Sequence, residues 1–195
     1  MAILLFGSGC AAIKTYWEWS SYWMSVSEGR IYPKRPKFSV VPQEPSDSNG
    51  LDLDAIYYLW DTWTNRSGGI VKDCQYMRFW RSGEVYGGFV ENRLPTTSDG
   101  DSLQGVRMGF YNLADSNLIV EINTPDCYIV SRGVVYTNRL VFYEYINRLP
   151  GGYSSQFNRT NTFIRLPLSG MSRQPDWSPT GMLSNAIGGS DDTER

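Results

Sequence analysis

Between Tyr76 and Leu168 the apolar positions recur in short alternating runs, and glycine or asparagine turns interrupt them before any run reaches helical length. This pattern predicts an antiparallel β meander. In Gln75-Tyr76-Met77-Arg78-Phe79-Trp80, Met77 and Phe79 alternate with amphipathic neighbours; Arg81-Ser82-Gly83-Glu84 supplies a turn, and Val85-Tyr86 opens the return strand. Met108 to Leu113 pairs with Leu118 to Ile122 across Ala114-Asp115-Ser116-Asn117, whose small polar residues tolerate the left-handed backbone of tight turns. A third hairpin joins Tyr128 to Tyr136 with Arg139 to Ile146 through Thr137-Asn138, and Thr162 to Leu166 reads as the last strand. Leu51 to Trp60 opens the folded region, as a strand because of its aromatic content. Strands at this spacing curl together to bury one face and hide their edges. The expected fold is therefore mainly β, an antiparallel meander forming a small barrel or half-barrel.

The flanks have a different texture. Residues 11–50 hold a dense aromatic segment, Tyr16 to Met24, and then the prolines Pro33, Pro36, Pro42 and Pro45, which fix the backbone extended and remove donors. We expect an extended N-terminal arm there, a β domain over 51–168, and a flexible C-terminal tail over 169–195, rich in glycine, serine and acidic residues. The loops Asn92 to Gly105 and Asn147 to Asn161 read as polar and flexible, Asp99-Gly100-Asp101 as a turn, and Gly68-Gly69 and Gly87-Gly88 as turns or bulges.

Tyr76-Met77-Arg78-Phe79 before Ser82-Gly83-Glu84-Val85-Tyr86, and Gly109-Phe110-Tyr111-Asn112-Leu113 before Asn117-Leu118-Ile119-Val120-Glu121, resemble the small lipocalin-like domains of bacterial envelope lipoproteins. Gly133-Val134-Val135 and Arg139-Leu140-Val141-Phe142 resemble the hairpin that follows in that family. The resemblance spans Leu51 to about Leu168 and rests on patterned hydrophobics. It implies a lipocalin-like barrel that binds a small apolar ligand, with a pool of wall residues in Met77, Phe79, Tyr111, Leu118, Val120, Val141, Phe142 and Phe163. The chain departs from the better-known lipocalins in one phrase. Tyr57-Tyr58-Leu59-Trp60-Asp61-Thr62-Trp63 has no glycine before its tryptophans.

Composition narrows the chemistry. The 195 residues include no histidine and carry a net charge of −2. Without imidazole the chain lacks the usual general base near neutral pH, the commonest zinc ligand and every Ser-His-Asp or Cys-His arrangement. Its arginines form no run, so nucleic acid is not an expected partner. No phosphate-cradling loop, nucleophile elbow or dinucleotide fingerprint is present, and no cofactor, metal or enzymatic activity is expected. The acids available to a hydrolytic carboxylate pair are Asp52, Asp54, Asp61, Glu84, Glu121 and Glu144. Glu121 and Glu144 read first as solvent-facing residues or as partners of arginines such as Arg139 or Arg165.

Residues 1–10 end in Gly7-Ser8-Gly9-Cys10 after a short apolar run, and resemble the end of a bacterial lipoprotein signal with Cys10 as the lipidated residue. The other reading is a buried terminus with an inert thiol. Cys74 and Cys127 then remain as an even pair, open between a disulfide and two reduced, buried thiols. The expected function is a non-catalytic envelope lipoprotein, tethered to the membrane by its lipid, that binds a small apolar ligand or a protein partner. The alternative is a structural subunit of an envelope assembly, docking through arm and tail.

Overall fold

The computed structural model describes residues 22–25, 30–33, 38–46, 50–65, 67–102, 107–124, 127–149 and 154–172. Strands β1 (Tyr22–Ser25) and β2 (Arg30–Pro33) pair as a separate antiparallel hairpin, within what the proline and aromatic content marks as an arm. The remaining strands are β3 (Ala55–Thr64), β4 (Ile70–Phe79), β5 (Glu84–Glu91), β6 (Arg107–Ala114), β7 (Asn117–Asn123), β8 (Tyr128–Tyr136), β9 (Arg139–Arg148) and β10 (Ser154–Pro167). These eight close into a barrel in the order β10-β3-β4-β5-β6-β7-β8-β9. The fold is a full barrel rather than a half-barrel, because β10 pairs with β9 on one side and returns to β3 on the other, from Ile164↔Tyr58 to Pro167↔Ala55. Closure removes the free edges that a meander would otherwise expose.

The turns follow local chemistry. Asn65 Oδ1 accepts the backbone N–H groups of Ser67 and Gly69, and Gly68 takes φ 84° to reverse the chain between β3 and β4. Between β4 and β5, Gly83 has φ 91°, and a Cβ there would lie 2.6 Å from Pro42 Cβ. The turn therefore needs glycine both for its backbone and for the arm that crosses it. Gly87 and Gly88 lie inside β5, not at a turn. Gly88 faces Tyr76 across the sheet, and the tyrosine ring fills the space that a side chain would take.

Two strands are longer than their hydrophobic pattern indicates. β4 begins at Ile70 and β10 at Ser154, so most of the supposed flexible loop after Asn147 is paired sheet. Ser154-Ser155-Gln156-Phe157-Asn158 escapes a pattern search because this stretch is exposed, and its register against β9 shifts between Asn158 and Asn161.

Side chains alternate between two separate cores. All eight strands send residues into the barrel, among them Tyr57, Phe79, Val85, Tyr111, Val120, Val135, Phe142 and Phe163. Edge-to-face contacts link Tyr57 to Phe79 (centroids 5.8 Å), Phe79 to Tyr111 (5.1 Å) and Phe142 to Phe163 (5.7 Å). Such pairs add roughly 0.5–1.5 kcal/mol each beyond their buried area. The second core lies on the outside of β3 to β6, where Ile56, Cys74, Tyr76, Trp80, Tyr86, Met108 and Phe110 are covered by Phe38, Val40, Leu168 and Met171. The outer face also carries Lys72, Arg132 and Glu144.

Residues 38–46 are strapped to the wall. Fully buried Glu121 on β7 accepts the N–H groups of Ser39 (2.5 Å) and Val40 (2.8 Å) through Oε2, and pairs with Arg148 through Oε1. Phe38 then sits edge-on to Phe110 (4.8 Å) and Tyr128 (5.1 Å). A short helix α1 (Thr97–Ser102) covers β4 in the same way. Arg78 Nη1 donates to the Gly100 carbonyl (2.9 Å) and to Asp101 (2.6 Å), and Tyr76 Oη donates to the Asp99 carbonyl. Asp99-Gly100-Asp101 is thus helical, not a turn.

Candidate functional site at the open end of the barrel

The two ends of the barrel differ. At the end where β3 starts and β10 finishes, Leu51 and Leu53 pack against the interior core. Asp52 donates its N–H to Tyr57 Oη (2.8 Å) and pairs with Arg165, so the segment before β3 forms a floor. Burial holds the Tyr57 hydroxyl above the ordinary phenol range, which keeps it a neutral hydrogen-bonding group.

At the opposite end no described residue covers the inward side chains, and they are not uniformly apolar. The register Tyr57↔Met77 and Met77↔Gly87 places Leu59, Asp61 and Trp63 on the inner face of β3, Asp73 and Gln75 on that of β4, and Phe89 and Glu91 on that of β5. Leu59, Met77 and Ile129 are half-buried against the core below. Above them Phe89 is 57% exposed, Trp63 47% and Phe157 43%. Phe157 lies flat on Tyr145, with centroids 5.4 Å apart and planes 10° apart. Asn161 Nδ2 donates to Tyr145 Oη (2.7 Å), fixing the tyrosine beneath the phenylalanine. Trp63 Nε1 donates to Asp73 Oδ2 at 2.6 Å. Apolar rings around a few convergent polar groups are what a small-molecule site requires. The barrel is therefore a shallow cup, with its lower part filled by its own aromatic side chains.

Of the wall pool read from sequence, Phe79, Tyr111, Leu118, Val120, Phe142 and Phe163 are buried core, Val141 lies on the outer face, and Met77 alone borders the opening. Trp63, Phe89 and Phe157 were legible as aromatic residues but not as inward-facing ones. Their strands start or end outside the clear hydrophobic alternation. The signal that finds them is pairing register, counted outward from Tyr57, Met77 and Tyr145.

The candidate acids are dispersed. Asp52 serves the floor, and Glu84 accepts from Ser82. Glu144 pairs with Arg132, not with Arg139 or Arg165, and accepts from Gln156. Glu121 is wholly buried beneath the arm, which corrects its reading as solvent-facing. Asp61 alone among them borders the opening. Glu121 and Glu144 are each paired with an arginine on the outer face, Arg148 and Arg132, where they fix chain to the wall.

Cys74 and Cys127 stand as free, buried thiols, so the disulfide alternative is corrected. β4 and β8 are four strands apart whichever way the closed order is followed, on opposite walls of the barrel. No bond can span that distance. Cys74 points outward into the second core, where burial pushes its thiol up to about 11 and keeps it protonated and unreactive at neutral pH. Cys127 is tied into a turn, donating its N–H to Thr124 Oγ1 (3.1 Å). Cys10 and the Tyr16 to Trp19 part of the aromatic segment lie outside the described residues. On the outer face of the neighbouring strands β9, β10 and β3, Tyr143, Ile164 and Trp60 are exposed.

No protein-family model matches the chain, and no curated protein or solved structure matches it significantly.

Proposed function

We propose that this chain is a non-catalytic, lipocalin-like binding protein that takes a small apolar or amphipathic molecule into the open end of its barrel. The observation that carries this reading is the contrast between the ends. One is sealed by Leu51, Leu53 and the Asp52–Arg165 pair, whereas the other leaves the inward-facing Trp63, Phe89 and Phe157 exposed. Exposed aromatic rings on a concave inner surface are costly to hydrate and gain by covering. The filled lower barrel restricts the occupant to a short molecule.

The test is the neutral dye N-phenyl-1-naphthylamine, whose fluorescence rises in apolar surroundings. The chain should enhance it saturably, and Trp63→Ala together with Phe157→Ala should weaken binding by about tenfold or more, since buried aromatic anchors dominate small interfaces. Equal binding by the double variant, with its barrel intact by circular dichroism, contradicts the reading.

We further propose that the chain is tethered to a bacterial envelope through Cys10, on the strength of Gly7-Ser8-Gly9-Cys10. In cells, the chain with its native amino terminus should incorporate labelled palmitate. A Cys10→Ser variant that labels equally removes the tether from the account.

A further inference from the structure

We propose that the ligand taken at the open end is a small organic cation, an apolar skeleton carrying an ammonium group. This rests on the reading of the open end as a ligand site, and adds the chemistry of its polar half. The pairing register sets Asp61 directly opposite Asp73, and Asp73 directly opposite Glu91, all on the inner face of three adjoining strands. Like charges opposed across a sheet destabilise it. On the outer face Glu121 is matched with Arg148 and Glu144 with Arg132, whereas this ladder places acid against acid. On these strands and the neighbouring β6, the described inner-face residues of the open end carry three carboxylates and one guanidinium, that of Arg107 beside Gly87, while Arg159 of β10 lies near enough to Tyr145 to act on its hydroxyl.

The donors already present satisfy the ladder only in part. Trp63 Nε1 donates to Asp73 Oδ2 at 2.6 Å; Asp61 accepts the Thr62 N–H through Oδ1 at 2.9 Å and is reached by Gln75 Nε2 at 3.5 Å through Oδ2. Asp73 Oδ1 is buried from solvent and accepts no hydrogen bond. A carboxylate oxygen removed from water without a donor is costly, and a charged N–H donor from a ligand relieves that cost most effectively. A metal ion is a poorer fit, since among the described residues no three Asp, Glu or Cys side chains converge closely enough to hold one. An ammonium needs no such convergence. It accepts carboxylates spaced along a ladder, and the faces of Trp63 and of the Phe157–Tyr145 stack add attraction to its positive charge and cover its apolar skeleton.

Three molecules that differ only at one end test this: 4-phenylbutylammonium, 4-phenylbutanol and 4-phenylbutanoate, each competing with N-phenyl-1-naphthylamine and each titrated directly against the indole N–H resonance of Trp63. The ammonium should bind about tenfold more tightly than the alcohol, and more tightly still than the carboxylate. Asp73→Asn combined with Asp61→Asn should bring the three together, in a barrel that circular dichroism shows intact. Equal binding of all three to the native chain overturns the cation but spares the open end as a ligand site. So does a preference that survives both substitutions. Failure of the dye and of all three compounds overturns both readings.

Discussion

Glu121 shows how a single side chain can define a large part of this molecule. Its carboxylate is wholly buried on the outer wall, yet no oxygen is wasted, because one serves Arg148 and the other takes two consecutive backbone N–H groups from the arm. Replacing it with alanine leaves Ser39 and Val40 N–H groups without an acceptor, a loss on the order of 1–3 kcal/mol. Glu121→Ala should therefore release residues 38–46 while the barrel persists. Amide hydrogen exchange reads this as faster exchange at Ser39 and Val40, with β7 protection retained around Val120. Unchanged protection at Ser39 and Val40 means that Phe38 and its aromatic neighbours hold the arm without the carboxylate.

Among the elements, those with strict alternation and a turn at each end were legible from sequence. β6, β7, β8 and β9 fall within a residue or two of the hairpins that the pattern predicts. The short turns at Asp115 and between Tyr136 and Arg139 announce themselves by residue type. The first turns of β4 and β10 were not legible, for a physical reason. Where the barrel opens, its inner face is no longer apolar, so alternation carries no signal there, and only pairing with a neighbour defines the strand. Helix α1 was missed for a related cause. It is a single short turn of Thr, Ser, Asp and Gly, held by Arg93 bidentate to Asp99 (2.6 and 2.7 Å) and by Thr96, which together keep the Asp99 carboxyl well below the usual carboxylate range. No helical propensity marks such a segment. The arm was legible as extended chain but not as a cover, since its apolar Phe38, Val40 and Pro45 are spaced too widely to form a pattern.

Across the molecule, the described residues combine an interior filled by its own rings with one mouth that they seal and one that they leave open. The sequence offered the strand residues as a pool from which pocket walls would come, most of them core; in the structure most of them do pack against each other, and the exposed inner surface lies at the rim. The proposed binding role rests on the exposed inner-facing rings of Trp63, Phe89 and Phe157. The most direct measurement is a backbone amide chemical-shift map of the chain titrated with N-phenyl-1-naphthylamine. The account predicts shifts concentrated at the inner positions of the open end, around Leu59 to Trp63, Asp73 to Gln75, Phe89 and Phe157, with the floor at Leu51 to Leu53 unmoved. Shifts centred on the floor or beneath the arm at Phe38 to Val40, with the open end silent, contradict it.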